Sequence, residues 1–354
     1  MNAHPDDTRT SGRVFRSDTP LAAAPGLLRV GTRGSALAVA QTTTVAETIA
    51  AATGLDVGLV IVTTHGDTSR APLSQLGGTG VFVSALRDAL LTGECDLAVH
   101  SLKDLPTGPC PGIALGAVPE RADARDALCA RDGLTLQELP TGARVGTGSP
   151  RRVAQLLRRR PDLDVVDLRG NVDTRLGRVE SDLDAVVLAC AGLDRLGRSS
   201  VITERFPLDE MPAAPGQGAL AIEVRADDLA REPYAEALSA LDHAESRACA
   251  LAERAVLATL EAGCAAPIGA TARVVDGALE LKAEVSALDG TQGLSTGGAL
   301  PWTAADPEHR QIPDRLGRTV AESLFEMGAA MIAPLGGTEP GAERPGGTRP
   351  GGPR

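Results

Sequence analysis

The chain has 354 residues and a formal charge of −11, from 35 basic and 46 acidic side chains. This length predicts two or three domains, and an apolar content of 43% is enough for packed cores, so disorder of the whole chain is excluded. No apolar run approaches the roughly 20 residues of a membrane-spanning helix, and the polar first residues lack the apolar region of an export signal. We therefore expect a cytoplasmic protein with no membrane partner.

The cysteine and aromatic contents limit the kinds of site that the protein is expected to contain. Six cysteines are spread singly along the chain, without a Cys-x-x-Cys pair or a histidine at metal-ligand spacing. This pattern predicts reduced thiols and no metal site. Aromatic residues make up only 2% of the chain, which argues against nucleic-acid bases stacked on aromatic side chains. Only two of the 35 basic residues are lysines, Lys103 and Lys282, and a coding bias towards arginine explains most of this.

Residues 1–27 and 336–354 are polar and contain much Pro and Gly, so we predict two disordered tails. Between them, short β-forming runs alternate with helical patterns. Strands are predicted over 27–32, 58–64, 95–101, 143–148, 163–170 and 183–193, and helices over 36–53, 81–93 and 150–160. This alternation indicates an α/β protein with largely parallel sheets.

The last third of the chain has a different pattern. Residues 243–263 form one long amphipathic helical pattern, and residues 271–290 alternate like a hairpin around Asp276 and Gly277. The segment 299–331 then returns to a helical pattern. These elements predict a small α+β domain.

In open α/β sheets, ligands bind at the carboxyl ends of strands, where loops lead into helices. The loop 32–35 offers the Arg33 guanidinium, a hydroxyl and helix-start amides, although a serine cap beside a solvated arginine explains it equally well. The loop 145–152 is a stronger candidate for a ligand site than the loop 32–35. In it, glycines are followed by Pro150 at a first helical position and then by paired arginines. It matches neither nucleotide-binding glycine pattern, and it predicts a cradle for phosphate or carboxylate.

Arginines are in excess after this second loop. Between residues 144 and 178 there are nine arginines and four aspartates, a local charge of 9 − 4 = +5. A solvated helix face accounts for residues 158–160, but not for arginines that come just after strands. Arginines directed into one cleft repel each other unless a polyanion is present, so the excess predicts a ligand with several carboxylates or phosphates.

Two further segments hold candidate reactive groups. In 99–106, Lys103 and Asp104 are either two surface side chains or a pair in which the carboxylate stabilises positive charge on a substrate. Cys264 leaves a helix in a tight loop, and is either an inert core residue or a nucleophilic thiol. No histidine partners it in sequence, which counts against a protease-type site.

Seven stretches, in this order, resemble the porphobilinogen deaminase family, also called hydroxymethylbilane synthases. Together they span about residues 28–335. They are RVGTRGSALAVAQT, GGTGVFVSALRDALL, DLAVHSLKDLPT, VGTGSPRRVAQL with RPDLDVVDLRGNVDTRL, AGLDRLG, PGQGALAIE and ERAVLATLEAGCAAPIGA.

The resemblance implies an α/β fold with two doubly wound, periplasmic-binding-protein-like domains and a small α+β C-terminal domain. On this chain, the first domain would comprise 28–119 and 213–238, the second 120–212, and the third, for cofactor attachment, 239–335. The active cleft would lie between the first two domains. The resemblance also suggests a monomer.

The activity implied is a transferase reaction of haem and other tetrapyrrole biosynthesis. Four porphobilinogen molecules are joined stepwise, with release of ammonia, into the linear hydroxymethylbilane. The primer would be a dipyrromethane cofactor, attached by a thioether to Cys264. Each pyrrole carries an acetate and a propionate, so two primer rings and four added rings present 6 × 2 = 12 carboxylates. This charge agrees with the local excess of arginine.

The resemblance also implies roles for individual residues. Asp104 would stabilise positive charge on pyrrole nitrogens and move protons, and Phe82 would pack near the growing chain. Cofactor and substrate would be bound by Arg33, Ser35, Phe82, Ser101, Lys103, Thr147, Ser149, Arg151, Arg152, Arg169, Asn171, Arg175 and Arg195. Gly34, Gly148 and His65 depart from the commoner family pattern. Gly148 removes a hydroxyl donor and so puts one primer contact in doubt.

Two other functions compete with this one. A non-enzymatic anion-binding protein of the same two-domain fold would have no use for a third domain whose helix ends in GCAAPIG. Nucleic-acid binding through the arginines of 144–178 is opposed by the negative net charge and the few aromatic residues. We therefore expect porphobilinogen, and no nucleic acid, as the partner.

Overall fold

The computed structural model describes residues 11–17, 19–63, 80–261 and 266–335, except for the side chains of 80–82. Within these ranges the strands form three separate sheets, of six, five and three strands. Helices pack on each sheet, and buried apolar side chains fill the space between. The α/β class predicted from the sequence is confirmed.

The first sheet draws its strands from two distant parts of the chain. They are β1 (Val14–Ser17), β2 (Leu27–Thr32), β3 (Asp56–Ile61), β4 (Leu97–Ser101), β5 (Ile113–Ala117) and β11 (Leu220–Arg225). Their order is β1-β3-β2-β4-β11-β5. The first four strands are parallel, whereas β11 runs antiparallel to both of its neighbours.

The second sheet repeats this arrangement. Its strands are β6 (Asp126–Ala130), β7 (Arg144–Gly146), β8 (Asp164–Val166), β9 (Ala185–Ala189) and β10 (Glu204–Arg205), in the order β10-β6-β9-β7-β8. If the edge strand β1 is left aside, in both sheets the first parallel strand lies between the second and the third, and an antiparallel strand borders the third. The chain crosses between the two sheets over 118–125 and 206–219.

The helices of these two sheets follow the predicted pattern. They are α1 (Ala36–Thr53), α2 (Gly80–Leu91), α3 (Pro150–Arg159), α4 (Val172–Gly177), α5 (Cys190–Arg195) and α6 (Tyr234–Leu241). Helix α1 begins where the Ser35 hydroxyl accepts a hydrogen bond from Ala38 N at 3.3 Å, and it ends at Gly54, whose φ of 72° closes the last turn. None of the helices in the described ranges has the length and apolarity to cross a bilayer.

The third sheet is antiparallel and is covered by helices. Its elements are α7 (Ala244–Thr259), β12 (Ile268–Val275), β13 (Ala278–Ser286), β14 (Gly293–Pro301), α8 (Ile312–Glu326) and α9 (Ala329–Ile332). The predicted hairpin is confirmed: Asp276 and Gly277, with φ of 48° and 76°, join β12 to β13.

One buried glutamate joins the third sheet's helix to both crossing segments. Glu253 on α7 is fully buried and accepts a hydrogen bond from Arg121 Nη1 at 2.7 Å and another from Gly216 N at 2.8 Å. Arg121 lies in the first crossing and Gly216 in the second. The helix that leads to Cys264 is therefore anchored where the two larger sheets meet.

Three predicted elements differ from the structure. The strand predicted over 183–193 ends at Ala189, and the apolar run continues because the first turn of α5 is also buried. The segment predicted as helical over 299–331 begins instead with the end of β14, whose glycines hide the strand pattern from sequence inspection. Within the predicted disordered tail 1–27, Val14–Ser17 forms an edge strand paired with β3.

Candidate active site

A short turn at the end of β4 presents Lys103 and Asp104. Strand β4 ends at Ser101, and Leu102–Asp104 forms a 3-10 turn. Leu102 and Leu105 are buried in an apolar cluster, so Lys103 and Asp104 between them lie half-buried on the other side. The Asp104 carboxylate belongs to no ion pair within the described part of the chain. It is free to interact with a ligand.

A buried aspartate on the second sheet holds two of the predicted arginines. Asp126 begins the antiparallel strand β6, and so lies at the edge where the parallel strands end. Its Oδ2 accepts from Arg151 Nη2 at 2.7 Å, and its Oδ1 accepts from Arg152 Nη2 at 2.6 Å. Burial alone would raise the pKa of Asp126, but the two guanidiniums lower it below its usual range.

Gln217 connects the two sheets through its side chain. It precedes the antiparallel strand β11, and Leu220 in that strand pairs with Ser101 at the end of β4. Gln217 Oε1 accepts from Lys103 Nζ at 3.2 Å and from Arg152 Nη2 at 3.4 Å. Its Nε2 donates to Asp126 Oδ1 at 2.8 Å. The structure thus brings the lysine and the paired arginines predicted from the sequence into one network.

Positive charge exceeds negative charge around this network. Burial lowers the pKa of the Lys103 amine to about 8, although Asp104 acts in the opposite direction. Burial also lowers the pKa of Arg175, and the nearby Arg152 lowers it further. Five cations and four carboxylates interact here: Lys103, Arg151, Arg152, Arg169 and Arg175 with Asp104, Asp126, Asp167 and Glu284. Such a group of cations favours a ligand with several carboxylates.

The loop after β8 supplies Arg175 and its neighbours. Asn171 caps α4 by accepting a hydrogen bond from Thr174 N at 2.8 Å, and Arg175 Nε donates to the Gly170 carbonyl at 2.7 Å. Gly170 has a φ of 110°, a conformation that only glycine adopts easily. Arg169 is exposed, and its one ion pair in the described part of the chain is a long contact of 3.4 Å with Asp167. The Arg169 guanidinium is therefore available to a ligand.

The loop after β7 has the form of an anion cradle. Thr147 is buried and its hydroxyl accepts from Ser149 N at 3.3 Å. Ser149 precedes α3 without a side-chain capping bond, so amide donors of the first turn remain. A Cβ at Gly148 would lie 2.6 Å from the Leu168 carbonyl oxygen, so a serine there would require that backbone to move.

Other predicted residues lie at neighbouring strand ends. Ser35 caps α1, and Arg33 lies half-buried in the loop before it. Ser101 Oγ accepts from Gln41 Nε2 at 3.3 Å. Arg195 Nη2 donates to the Gly218 carbonyl at 2.8 Å, next to Gln217.

Several predictions fall on parts of the chain that the structure leaves undescribed. Cys264, the segment 65–67, residues 1–10 of the first predicted tail and the second predicted tail, 336–354, lie outside the described residues. Phe82 lies on α2, but its side chain is among those not described.

Sequence reasoning missed Asp126 and Gln217 as site residues. Asp126 is the first residue of an otherwise apolar strand and follows Asp123 and Arg125, a position that carries no recognisable signal. Gln217 lies within the stretch PGQGALAIE, between two glycines with φ of 78° and 86°. The one sequence feature that could have indicated a role for Gln217 is its position between two glycines.

Asp126→Asn is expected to destabilise the protein by about 3–5 kcal/mol, because it leaves two buried guanidiniums without a carboxylate. The free energy of unfolding, from urea titration, measures this effect. Asp314→Asn is the matched control, since its pair with Arg318 is exposed, and a loss below about 1 kcal/mol is expected. Equal losses in the two variants would contradict the bracing role of Asp126.

The two α/β sheets and the cationic side chains that meet at Gln217 are the arrangement expected of a protein that binds a ligand with several carboxylates. Residues 28–232 match the family model described as porphobilinogen deaminase, dipyrromethane cofactor binding domain, and residues 247–326 match the porphobilinogen deaminase C-terminal domain. The chain belongs to the porphobilinogen deaminase family. It is a hydroxymethylbilane synthase, a transferase of tetrapyrrole biosynthesis, and its cofactor is dipyrromethane.

Curated relatives match over nearly their whole length. The chain is 62% identical to porphobilinogen deaminase of Leifsonia xyli subsp. xyli over 324 residues, which cover 91% of this chain and 98% of the relative. It is 55% identical to the enzyme of Thermobifida fusca, over 86% of this chain and 95% of that one.

A solved periplasmic substrate-binding protein of an ABC transporter from Coxiella burnetii shows a TM-score of 0.38 and 17% identity, over 60% of this chain and 91% of that one. At this level the similarity carries no argument. That the two larger sheets have similar topologies is seen directly from their strand orders in this chain.

Proposed function

We propose that the Lys103–Asp104 turn and the arginines opposite it form the active site, with Asp104 as the catalytic carboxylate. The network around Gln217 carries this proposal, because one side chain contacts Lys103 from the first sheet and both Arg152 and Asp126 from the second. Side chains from both sheets therefore converge on the turn that holds Asp104.

The donor set fits a dipyrromethane with four carboxylates. Within the described residues, Arg151 Nε is buried without a hydrogen-bond partner, and Arg151 and Arg152 share the carboxylate of Asp126, so positive charge is left over. When bound, dipyrromethane supplies the free α-carbon to which the first porphobilinogen is joined. Cofactor and substrate would be held by Arg33, Ser35, Phe82, Ser101, Lys103, Thr147, Ser149, Arg151, Arg152, Arg169, Asn171, Arg175 and Arg195.

Asp104 has the properties that the reaction requires of a carboxylate. Loss of ammonia from porphobilinogen leaves positive charge that spreads to the pyrrole nitrogen. The Asp104 carboxylate, with Lys103 as its neighbour, would accept the pyrrole N–H hydrogen bond and stabilise this charge. The same oxygens would take up a proton when the new carbon–carbon bond is completed.

The reactivity of the other thiols supports Cys264 as the attachment residue. The thiolate is the nucleophilic form of cysteine. Burial raises the pKa of four cysteine thiols, to about 11 for Cys190 and to about 12 for Cys95, Cys129 and Cys249. These four are poorly suited to forming a thioether at neutral pH.

We also propose the domain boundaries 28–119 with 213–238, 120–212 and 239–335, with tails at 1–27 and 336–354. The described strands form three separate sheets, which supports a division into three domains. Val14–Ser17, however, extends the first sheet into the proposed N-terminal tail. We propose in addition that the protein acts in the cytoplasm as a monomer, with porphobilinogen and no nucleic acid or membrane as partner.

The intact mass of the purified protein tests covalent attachment of the cofactor. We expect a chain heavier by two pyrrole units, and the colour that Ehrlich reagent gives with dipyrromethanes. A chain of unmodified mass, even after incubation with porphobilinogen, would contradict the proposal and favour the non-enzymatic anion-binding protein.

The affinity for porphobilinogen is expected to fall between pH 7 and pH 9. With its pKa lowered to about 8, the Lys103 amine is about 90% charged at pH 7 and about 10% charged at pH 9. Its attraction for a substrate carboxylate is therefore lost as pH rises, and KM should increase several-fold. In Lys103→Arg the guanidinium stays charged, so this rise should flatten. An identical rise in both enzymes would exclude Lys103 as the titrating group.

A further inference from the structure

A buried arginine lies beneath the turn that carries Asp104. Arg254, on α7, is only 9% exposed. Its Nη1 donates to the carbonyl oxygens of Leu102 and Leu105, both at 3.0 Å, and its Nη2 donates to the Pro106 carbonyl at 2.6 Å. These three carbonyls lie on both sides of Asp104 along the chain.

The turn has few other backbone bonds to hold it. Leu105 N donates to the Leu102 carbonyl at 3.2 Å, and Leu102 N donates to the Ala219 carbonyl at 3.0 Å. Pro106 has no N–H to contribute. Without Arg254, the carbonyls of the buried Leu105 and of Pro106 would lose a strong, charge-assisted partner.

The environment of Arg254 differs from that of another arginine on the same helix. Arg247 pairs with Asp242 at 2.8 Å as well as donating to a backbone carbonyl. The hydrogen-bond acceptors of Arg254 in the described part of the chain are all backbone carbonyls. Burial lowers the pKa of Arg254 to about 10. Burying a cation without a carboxylate beside it costs free energy. Because the described hydrogen bonds of Arg254 all go to carbonyls of residues 102–106, they hold this turn in one shape.

We infer that Arg254 is a positioning residue for the catalytic carboxylate: it fixes the backbone of residues 102–106 and thereby the place of Asp104. The inference rests on the catalytic role proposed for Asp104. Arg254 also precedes Cys264 by ten residues, so the helix that leads to the proposed cofactor cysteine also supports the catalytic turn.

Arg254→Met in the holoenzyme tests this role. The variant keeps an unbranched apolar chain but removes all donors, so the 102–106 turn can shift. We expect kcat to fall about 100-fold, because a displacement of about 1 Å has effects of this size. KM should stay within about threefold, and intact mass should still show the cofactor, since the arginines opposite the turn are unchanged.

Arg254→Lys and Arg247→Met provide the rescue and the control. The lysine keeps a cation with three donors but lacks the guanidinium fork that reaches three carbonyls, so kcat should recover only in part, to about tenfold below that of the original enzyme. Arg247→Met removes a half-buried arginine from the same helix and should lower stability without changing kcat. If Arg254→Met does not fold, Arg254→Lys decides: a reduced kcat with unchanged KM supports positioning.

Two results would overturn the inference. One is full kcat in folded, cofactor-bearing Arg254→Met or, if that does not fold, in Arg254→Lys. The other is a loss in Arg254→Met that is entirely in KM or in cofactor content. Asp104→Asn is measured in parallel, because full activity in that variant would refute the proposed catalytic role itself.

Discussion

Asp104→Asn is expected to retain its fold and its covalent cofactor while kcat falls about 1,000-fold. The amide has nearly the size of the carboxylate but carries no negative charge, so it can neither stabilise the charge left when ammonia departs nor accept a proton. The turnover of porphobilinogen, normalised to cofactor-bearing protein by intact mass, measures the effect. Because the two side chains have the same shape, a change in folding should not obscure the result.

Asp88→Asn is the matched control for this variant. Asp88 is exposed on α2, a helix that packs on the same sheet, and it should be replaced without change in kcat. Near-normal turnover of Asp104→Asn would remove Asp104 from the mechanism. An equal loss in both variants would point to a general effect of the removed charge.

Cys264→Ser is expected to give a protein without covalent pyrrole and without product. The serine hydroxyl is far less nucleophilic at neutral pH than a thiol, so the primer should not become attached. Intact mass should show the unmodified chain, before and after incubation with porphobilinogen. Release of hydroxymethylbilane should be undetectable.

Cys110→Ser provides the control for the attachment residue. Cys110 is half-buried, in contrast to the four buried cysteines, and is the most accessible thiol in the described part of the chain. This variant should carry the full adduct and be active. An adduct that persists in Cys264→Ser and disappears in Cys110→Ser would move the attachment site.

The pattern of local elements was predictable because it depends on neighbours in sequence. The strand over 27–32 and the helix over 36–53 have the observed bounds, since a buried apolar run and a serine cap specify them locally. The strand β14 was missed because its glycines give no alternation, and only its pairing with β13 makes it a strand. Tertiary contacts decided that element.

The resemblance indicated the kind of site, but not the contacts of its arginines. Arg151 and Arg152 were expected to bind ligand carboxylates, and the structure gives both of them a carboxylate of the protein, Asp126. Asp126 lies 25 residues before Arg151 in the chain, on a strand whose direction no local pattern reveals. The role of these arginines towards a ligand stays a prediction.

The sequence by itself determined the class of protein, the cationic loops and the ordered stretches that mark the family, because these depend on residue type and spacing along the chain. Only the tertiary structure decided that Gln217 joins Lys103 to Asp126, and that Arg254 lies beneath the turn that carries Asp104. The reason is that the antiparallel strand β11 returns to the first sheet only after the chain has formed the second. The segment before β11 thereby lies beside charged groups from which it is separated by about a hundred residues of sequence.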